Sequence, residues 1–286
     1  MVVSRRLPLV AALAAAVALG CHGDARKVTL RYHPPQGASY RYTIEQHNGV
    51  KFESGPMTKV PEQQIQMHLY FTQSITGPAE GGTGVSVRFD STTIDSPMLQ
   101  SSAFAPALER MRGLTTELVF DDRRNVLRSA TTAGGEATPA SDQLLRGMKG
   151  LAFPFPEGPV GVGDSWTAEI DMPLGQMANV NAPLKTKTRL TLKEITATGP
   201  DTTVLIALET MLPTDPIVMS QQGQSITMKL SGTLTGDQLF SLARGAAVHS
   251  QLGGTIHINV AGGPLGPGGM DMTMTQATSL TLGGTP

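Results

Sequence analysis

The 286-residue chain has one cysteine, one tryptophan, 5% aromatic residues and 16% charged residues. A single cysteine excludes any disulfide within the chain, so an ordinary apolar core has to hold the fold. Charge is balanced as well as sparse: 22 Lys+Arg against 23 Asp+Glu leave −1. Nucleic-acid binding is disfavoured, because the basic excess that neutralises phosphates is missing. Beyond residue 20 no apolar run approaches the roughly 20 residues that a spanning helix needs. His22, His33, His47, His68, His249 and His257 include no pair at metal-ligand spacing and no companion cysteine, which argues against zinc. The glycine-rich stretch Gly262 to Gly269 lacks the Gly-Lys-Ser/Thr ending of a phosphate cradle and reads as a flexible loop. No cofactor is expected.

The chain is rich in glycine (32) and proline (20), which suit turns better than long helices. Apolar residues recur at every second position: Val28/Leu30/Tyr32, Tyr40/Tyr42/Ile44, Ile65/Met67/Leu69/Phe71, Val85/Val87/Phe89, Trp166/Ala168/Ile170/Met172, Val204/Ile206/Leu208, Ile226/Met228/Leu230, Ile256/Ile258/Val260 and Met270/Met272/Met274. Such segments bury one face and wet the other, the habit of antiparallel sheets. Only 104–112 and 141–148 carry helical spacing, through Phe104/Leu108/Met111 and Leu144/Leu145/Met148. The expected fold class is all-β: two related antiparallel β repeats forming a curved sheet or barrel-like body, with two short helices.

The repeat is read from matching landmarks. Gly37-Ala38-Ser39-Tyr40 answers Gly163-Asp164-Ser165-Trp166, Ile75-Thr76-Gly77-Pro78 answers Ile195-Thr196 with Gly199-Pro200, and Phe120 before a turn near Arg124-Asn125 answers Phe240 before Arg244-Gly245. The expected division is 1–20 signal peptide, 21–26 tether, 27–130 first β repeat, 131–158 linker with a short helix and a proline-rich crossing, and 159–286 second β repeat. Phe153-Pro154-Phe155-Pro156 is read as the crossing because proline removes ladder donors.

At the N-terminus Arg5 and Arg6 precede an apolar stretch from Leu7 to Leu19, then Gly20 and Cys21, which reads as an export signal. Ala18-Leu19-Gly20-Cys21 resembles the lipobox of bacterial lipoproteins. The resemblance implies cleavage before Cys21 and lipidation of its thiol, leaving 20 basic and 23 acidic residues (Arg5 and Arg6 gone), or −3. It also implies a bacterial cell-envelope address, lipid-anchored, with the outer membrane favoured by His22 where the host has two membranes. The membrane contact is then lipid rather than polypeptide, with each buried methylene worth about 0.8 kcal/mol. Ser4-Arg5-Arg6 resembles a twin-arginine signal, although Pro8 departs from it.

Pro159-Val160-Gly161-Val162-Gly163-Asp164-Ser165-Trp166, together with the opening Leu30-Arg31-Tyr32 and Gly37 to Tyr42, resembles an uncharacterised family of bacterial exported and lipid-anchored proteins with paired β repeats. That resemblance implies the fold and the address and carries no activity. Gly163-Asp164-Ser165 also resembles the opening of a class of lipases and esterases, but the Asp that class needs three residues before a late His is absent: Gly254 precedes His257 and Ala246 precedes His249. A serine without a base is not an activated nucleophile, so the segment reads as a turn. Asp121-Asp122-Arg123-Arg124 reads as a charged hairpin turn. Met270, Met272 and Met274 present three thioethers on one strand face, a donor set for Cu(I). The same parity continues to Leu280 and Leu282, which reads as core or as the lining of an adaptable apolar site. Three functions stay open: a tethered, non-enzymatic binding module for an apolar ligand or acyl chain, a structural or assembly component binding an envelope protein, and a hydrolase with an unorthodox site at Ser165.

Overall fold

The computed structural model describes residues 27–96, 111–133, 152–172, 184–221, 224–265 and 268–283. The signal segment, Cys21 and the helix expected over 141–148 lie outside the described residues, as does the helix over 104–112 except for its last two positions. Among the described residues the body has no helical layer: besides Met111, which is helical, there is the one-turn 3-10 helix Gly263–Leu265, so the described fold does not support the two short helices. Met111 is buried, and the turn after it is closed by the Gly113 N–H donating to the Phe89 carbonyl.

Twelve strands follow one another: β1 (Ser39–Phe52), β2 (Gln63–Ala79), β3 (Gly82–Asp95), β4 (Thr115–Phe120), β5 (Val126–Ala133), β6 (Ser165–Met172), β7 (Leu184–Thr198), β8 (Asp201–Met211), β9 (Ile217–Gln221), β10 (Gln224–Ser241), β11 (Ala246–Gly262) and β12 (Met270–Leu282). They form a single antiparallel sheet in the order β5-β4-β3-β2-β1-β12-β11-β10-β8-β7-β6, with β9 beside the far end of β10. β1 to β5 step outward as a meander, and β6 to β12 step inward from the opposite edge. The two runs meet where β1 pairs with β12, from Tyr42 opposite Leu282 to Phe52 opposite Met272. The sheet is open, with β5 and β6 ending the order, so the barrel-like alternative does not hold.

Period two explains most of the strands, since each puts its apolar set on one face. It overreaches at 27–33. Leu30 and Tyr32 are buried as the alternation requires, yet the segment forms no ladder: it makes an isolated bridge, Val28 to Val160, and the Tyr32 N–H donates to the Asp122 carbonyl at 2.7 Å.

Contacts across the inner face show that the sheet curls. From β4 to β10 the order takes six interstrand steps, about 29 Å if flat. The turn after β4 nevertheless touches β10, with Arg124 Nη1 3.1 Å from Gln238 Oε1. Tyr40 Oη likewise donates to the Arg244 carbonyl at 2.8 Å. One apolar core is therefore shared by both runs of strands, from Tyr42, Phe71, Val87 and Phe120 to Leu192, Ile206 and Phe240. The proline-rich crossing is sealed into it. The Phe155 N–H donates to the Arg123 carbonyl at 2.8 Å, and its ring meets Phe240 edge-on, centroids 5.0 Å apart. Trp166 Nε1 donates to the Pro154 carbonyl at 2.9 Å, holding β6 to the same crossing.

A second apolar cluster lies farther along the same face, built from Met228, Leu230, Leu234, Ile256, Ile258 and Met272 with Phe52 packed against it. Between the two clusters Gln46, Asn48, Gln276 and Thr278 are half-buried on the inner parity of β1 and β12. Here β10 and β11 approach so closely that a Cβ on Gly236 would strike the Gln251 carbonyl oxygen. A side chain at that point would force the ladder apart, so glycine permits the tight approach.

Candidate functional site

The curl leaves a cleft in the shared core with about 70 Å³ in which the centre of a water-sized molecule can sit, partly open to solvent. Its apolar walls come from Tyr42 and Ile44 on β1, Phe71 on β2, Leu118 and Phe120 on β4 and Leu280 on β12. Alternation aims all of these inward. Four polar side chains interrupt the lining: Arg124, Gln238, Gln73 and Ser250. Gln238 and Ser250 occupy inward positions on β10 and β11, where they are 1% and 4% exposed. Ser250 Oγ donates to the Asp237 carbonyl at 3.2 Å, and Gln73 Nε2 reaches the Tyr32 hydroxyl at 3.5 Å.

Arg124 is the cation of this cleft. It sits in the turn between β4 and β5, which Asp121 organises. Asp121 Oδ1 accepts from the backbone N–H of Arg123 and of Asn125, and its Oδ2 accepts from Asn125 Nδ2. The Arg124 N–H donates to the Asp121 carbonyl at 3.1 Å, and the backbone there has φ 66°, the left-handed region. Arg124 is the one non-glycine residue with positive φ among the described residues, a conformation that costs a side-chain-bearing residue about 1 kcal/mol or more. The turn between β10 and β11 has the same pattern, the Gly245 N–H donating to the Leu242 carbonyl, and holds glycine at φ 58°.

From this turn the arginine points into the fold. Its guanidinium lies over the Phe240 ring, 5.2 Å from the centroid, a cation–π contact. Its partner in hydrogen bonding is Gln238, and no carboxylate among the described residues pairs with it. Asp122 is engaged with Arg31 at 3.2 Å and Glu157 with Arg123 at 3.0 Å, both on the outer side of the turn. Burial pulls the Arg124 pKa down from its ordinary value, while Tyr32 and Tyr42 act the other way; an arginine stays charged through such shifts. Burial also pushes the Tyr42 hydroxyl up, and raises that of Tyr32 to about 12. The arrangement is an apolar cleft with a fixed positive charge, able to accept an apolar group carrying an acceptor.

The residues singled out from sequence fall elsewhere. Met272 is 5% exposed in the second cluster, with Met270 and Met274 packed against the same cluster; none of the three lines the cleft, and Met274 lies six residues from Leu280, about 20 Å along β12. Ser165 is exposed, and its hydroxyl shares a hydrogen bond with Thr191 at 2.8 Å. His249 and His257 bond Thr281 and Thr273 on the outer face. Asp164 ties its own turn by accepting from the Gly161 N–H, beside Gly163 at φ 95°. Among the described residues no cluster of three or more His, Cys, Asp or Glu side chains is arranged to hold a metal. Sequence reasoning placed Arg124 in a hairpin turn and missed its direction. The usable signals were an arginine where a hairpin loop favours glycine, and Gln238 on an otherwise apolar parity between Leu234 and Phe240.

No family model matches the chain, and no curated protein does. A solved structure described as lipid–protein interactions in lipovitellin is similar in fold, with a TM-score of 0.51 at 9% identity. The similarity covers 89% of this chain and 26% of that one, so this chain spans about a quarter of the length of the protein it matches.

Proposed function

We propose that the chain is an exported, lipid-anchored module of the bacterial cell envelope that binds an apolar ligand and does no covalent chemistry on it. The observation that carries this reading is the inner face of the curled sheet, where an apolar cleft opens between strands that lie six steps apart in the order. The described lipid association of lipovitellin, a protein of related fold, is in keeping with it. On this reading the cleft takes part of the ligand, since its volume is roughly half that of a 150 Å³ cavity that holds benzene. The anchor rests on Cys21 and the residues before it. Lipid at the new N-terminus would hold the sheet at the membrane surface, in the outer membrane where the host has two.

The test uses the full chain from a bacterial host. The protein should fractionate with membranes, and Cys21→Ser should abolish metabolic labelling by palmitate and release the protein. Purified in nanodiscs, it should enhance the fluorescence of the neutral apolar dye N-phenylnaphthylamine saturably over empty nanodiscs. A linear, protein-independent rise would end the binding reading. An alternative, an assembly component that binds an envelope protein, is favoured by β5, which ends the strand order with Leu127 52% exposed. Photo-cross-linking from position 127 in cells should then trap one dominant protein.

A further inference from the structure

Three facts about Arg124 point the same way. The residue stands at φ 66° in a turn position where the β10–β11 turn uses glycine, so its backbone is held in a conformation glycine would adopt without strain. The strain is unexplained by the turn itself, which Asp121 and Asn125 already fasten. The side chain therefore supplies what glycine cannot. A guanidinium has five N–H donors, and Gln238 Oε1 accepts from Nη1 at 3.1 Å. The other donors have no protein acceptor among the described residues, although Arg124 lines a cleft whose remaining wall is largely hydrocarbon. The half-buried guanidinium has no carboxylate partner among the described residues, and an arriving carboxylate can pair with it through two parallel charge-assisted hydrogen bonds.

We propose that the cleft takes the carboxylate end of an apolar monocarboxylic acid, its oxygens on the Arg124 guanidinium and its first carbons against Ile44, Phe71, Leu118 and Leu280. This deepens the apolar-ligand reading and rests on it. The Gln238 carbonyl oxygen, already bonded to Nη1, fixes the plane of the fork, and the Phe240 ring beneath it backs the cation. The neighbouring carboxylates Asp121 and Asp122 are committed to the turn backbone and to Arg31, so they do not compete for the guanidinium. The size of the cleft selects a linear chain over a bulky ring, with any carbons beyond the first few leaving by the open side.

The experiment compares octanoate, octan-1-ol and palmitate as competitors of the neutral dye, on the full chain in nanodiscs. Octanoate should compete at least tenfold better than octan-1-ol of the same length. Arg124→Gly, which suits the left-handed turn and so keeps the fold, should erase that preference by weakening octanoate at least tenfold more than octan-1-ol. Arg124→Gln should do the same, and Arg124→Lys should retain part of the preference. Displacement by palmitate as well as octanoate supports the proposal with a long acyl chain as ligand; displacement by octanoate alone supports it with a short free acid. Equal competition by acid and alcohol, indifferent to Arg124→Gly, overturns the head-group assignment and leaves the apolar-ligand reading standing. Failure of the dye itself to bind overturns both.

Discussion

Phe155→Ala is the sharpest perturbation of the shared core. Phe155 is 1% exposed and Phe240 0%, and their edge-on contact joins the crossing segment to a strand of the second run. Removing a fully buried phenyl group loses about 2–3 kcal/mol of transfer free energy. A residual void of roughly 60 Å³ would add about 1.5 kcal/mol at 24 cal/mol per Å³. The expected loss is therefore about 4 kcal/mol, a large part of the roughly 5–15 kcal/mol that stabilises a typical domain. A double-mutant cycle with Phe240→Ala should return about 0.5–1.5 kcal/mol of coupling from ring geometry. Urea unfolding, followed by Trp166 fluorescence and by far-ultraviolet dichroism, is the assay. The two probes should coincide in one transition that moves to lower urea in the variant. A loss below about 1 kcal/mol, or two separate transitions of which the variant shifts one, would refute a core common to both runs of strands.

Other outcomes follow from the same geometry. Gly236→Ala should lower the melting temperature, since the added methyl meets the Gln251 carbonyl and overpacking of this kind costs about 1–3 kcal/mol; Val162→Ala, at an exposed position, is the control and should leave it unchanged. Raising pH should unfold the protein through its buried tyrosines. Burial pushes the Tyr32 hydroxyl up to about 12 from an ordinary value near 10, so the fold is unaffected below pH 10 and loses about 3 kcal/mol relative to the unfolded chain as pH rises from 10 through 12. Ultraviolet tyrosinate absorbance should appear in step with unfolding for Tyr32 and Tyr42, and Tyr32→Phe should move the alkaline midpoint upward.

Much of the sheet was legible because one-sided burial writes itself as alternation: Val204, Ile206 and Leu208 declare their strand without reference to any neighbour. The same logic misled at 27–33, where Leu30 and Tyr32 face inward but the segment crosses the end of the sheet with a single bridge. Alternation reports which side a residue faces, and says nothing of who lies beside it. The β1–β12 partnership was therefore invisible, being set by packing between segments about 240 residues apart (Tyr42 opposite Leu282). The cleft was hidden for the same reason. A turn arginine points wherever the opposing element leaves room, and only the curl brings Gln238 and Phe240 within reach of Arg124.

The pairing of β1 with β12 also sets a schedule for the newborn chain. β1 acquires β2 almost at once, but its other side waits until β12 has been made, some 240 residues later (Tyr42 opposite Leu282). At synthesis rates of about 5–20 residues per second, that is on the order of ten to fifty seconds. During that interval a long strand edge stands unsatisfied, inviting whatever ribbon passes by. If the chain folds only after export, the lifetime of the same open edge is set by the time its last strand takes to arrive across the membrane.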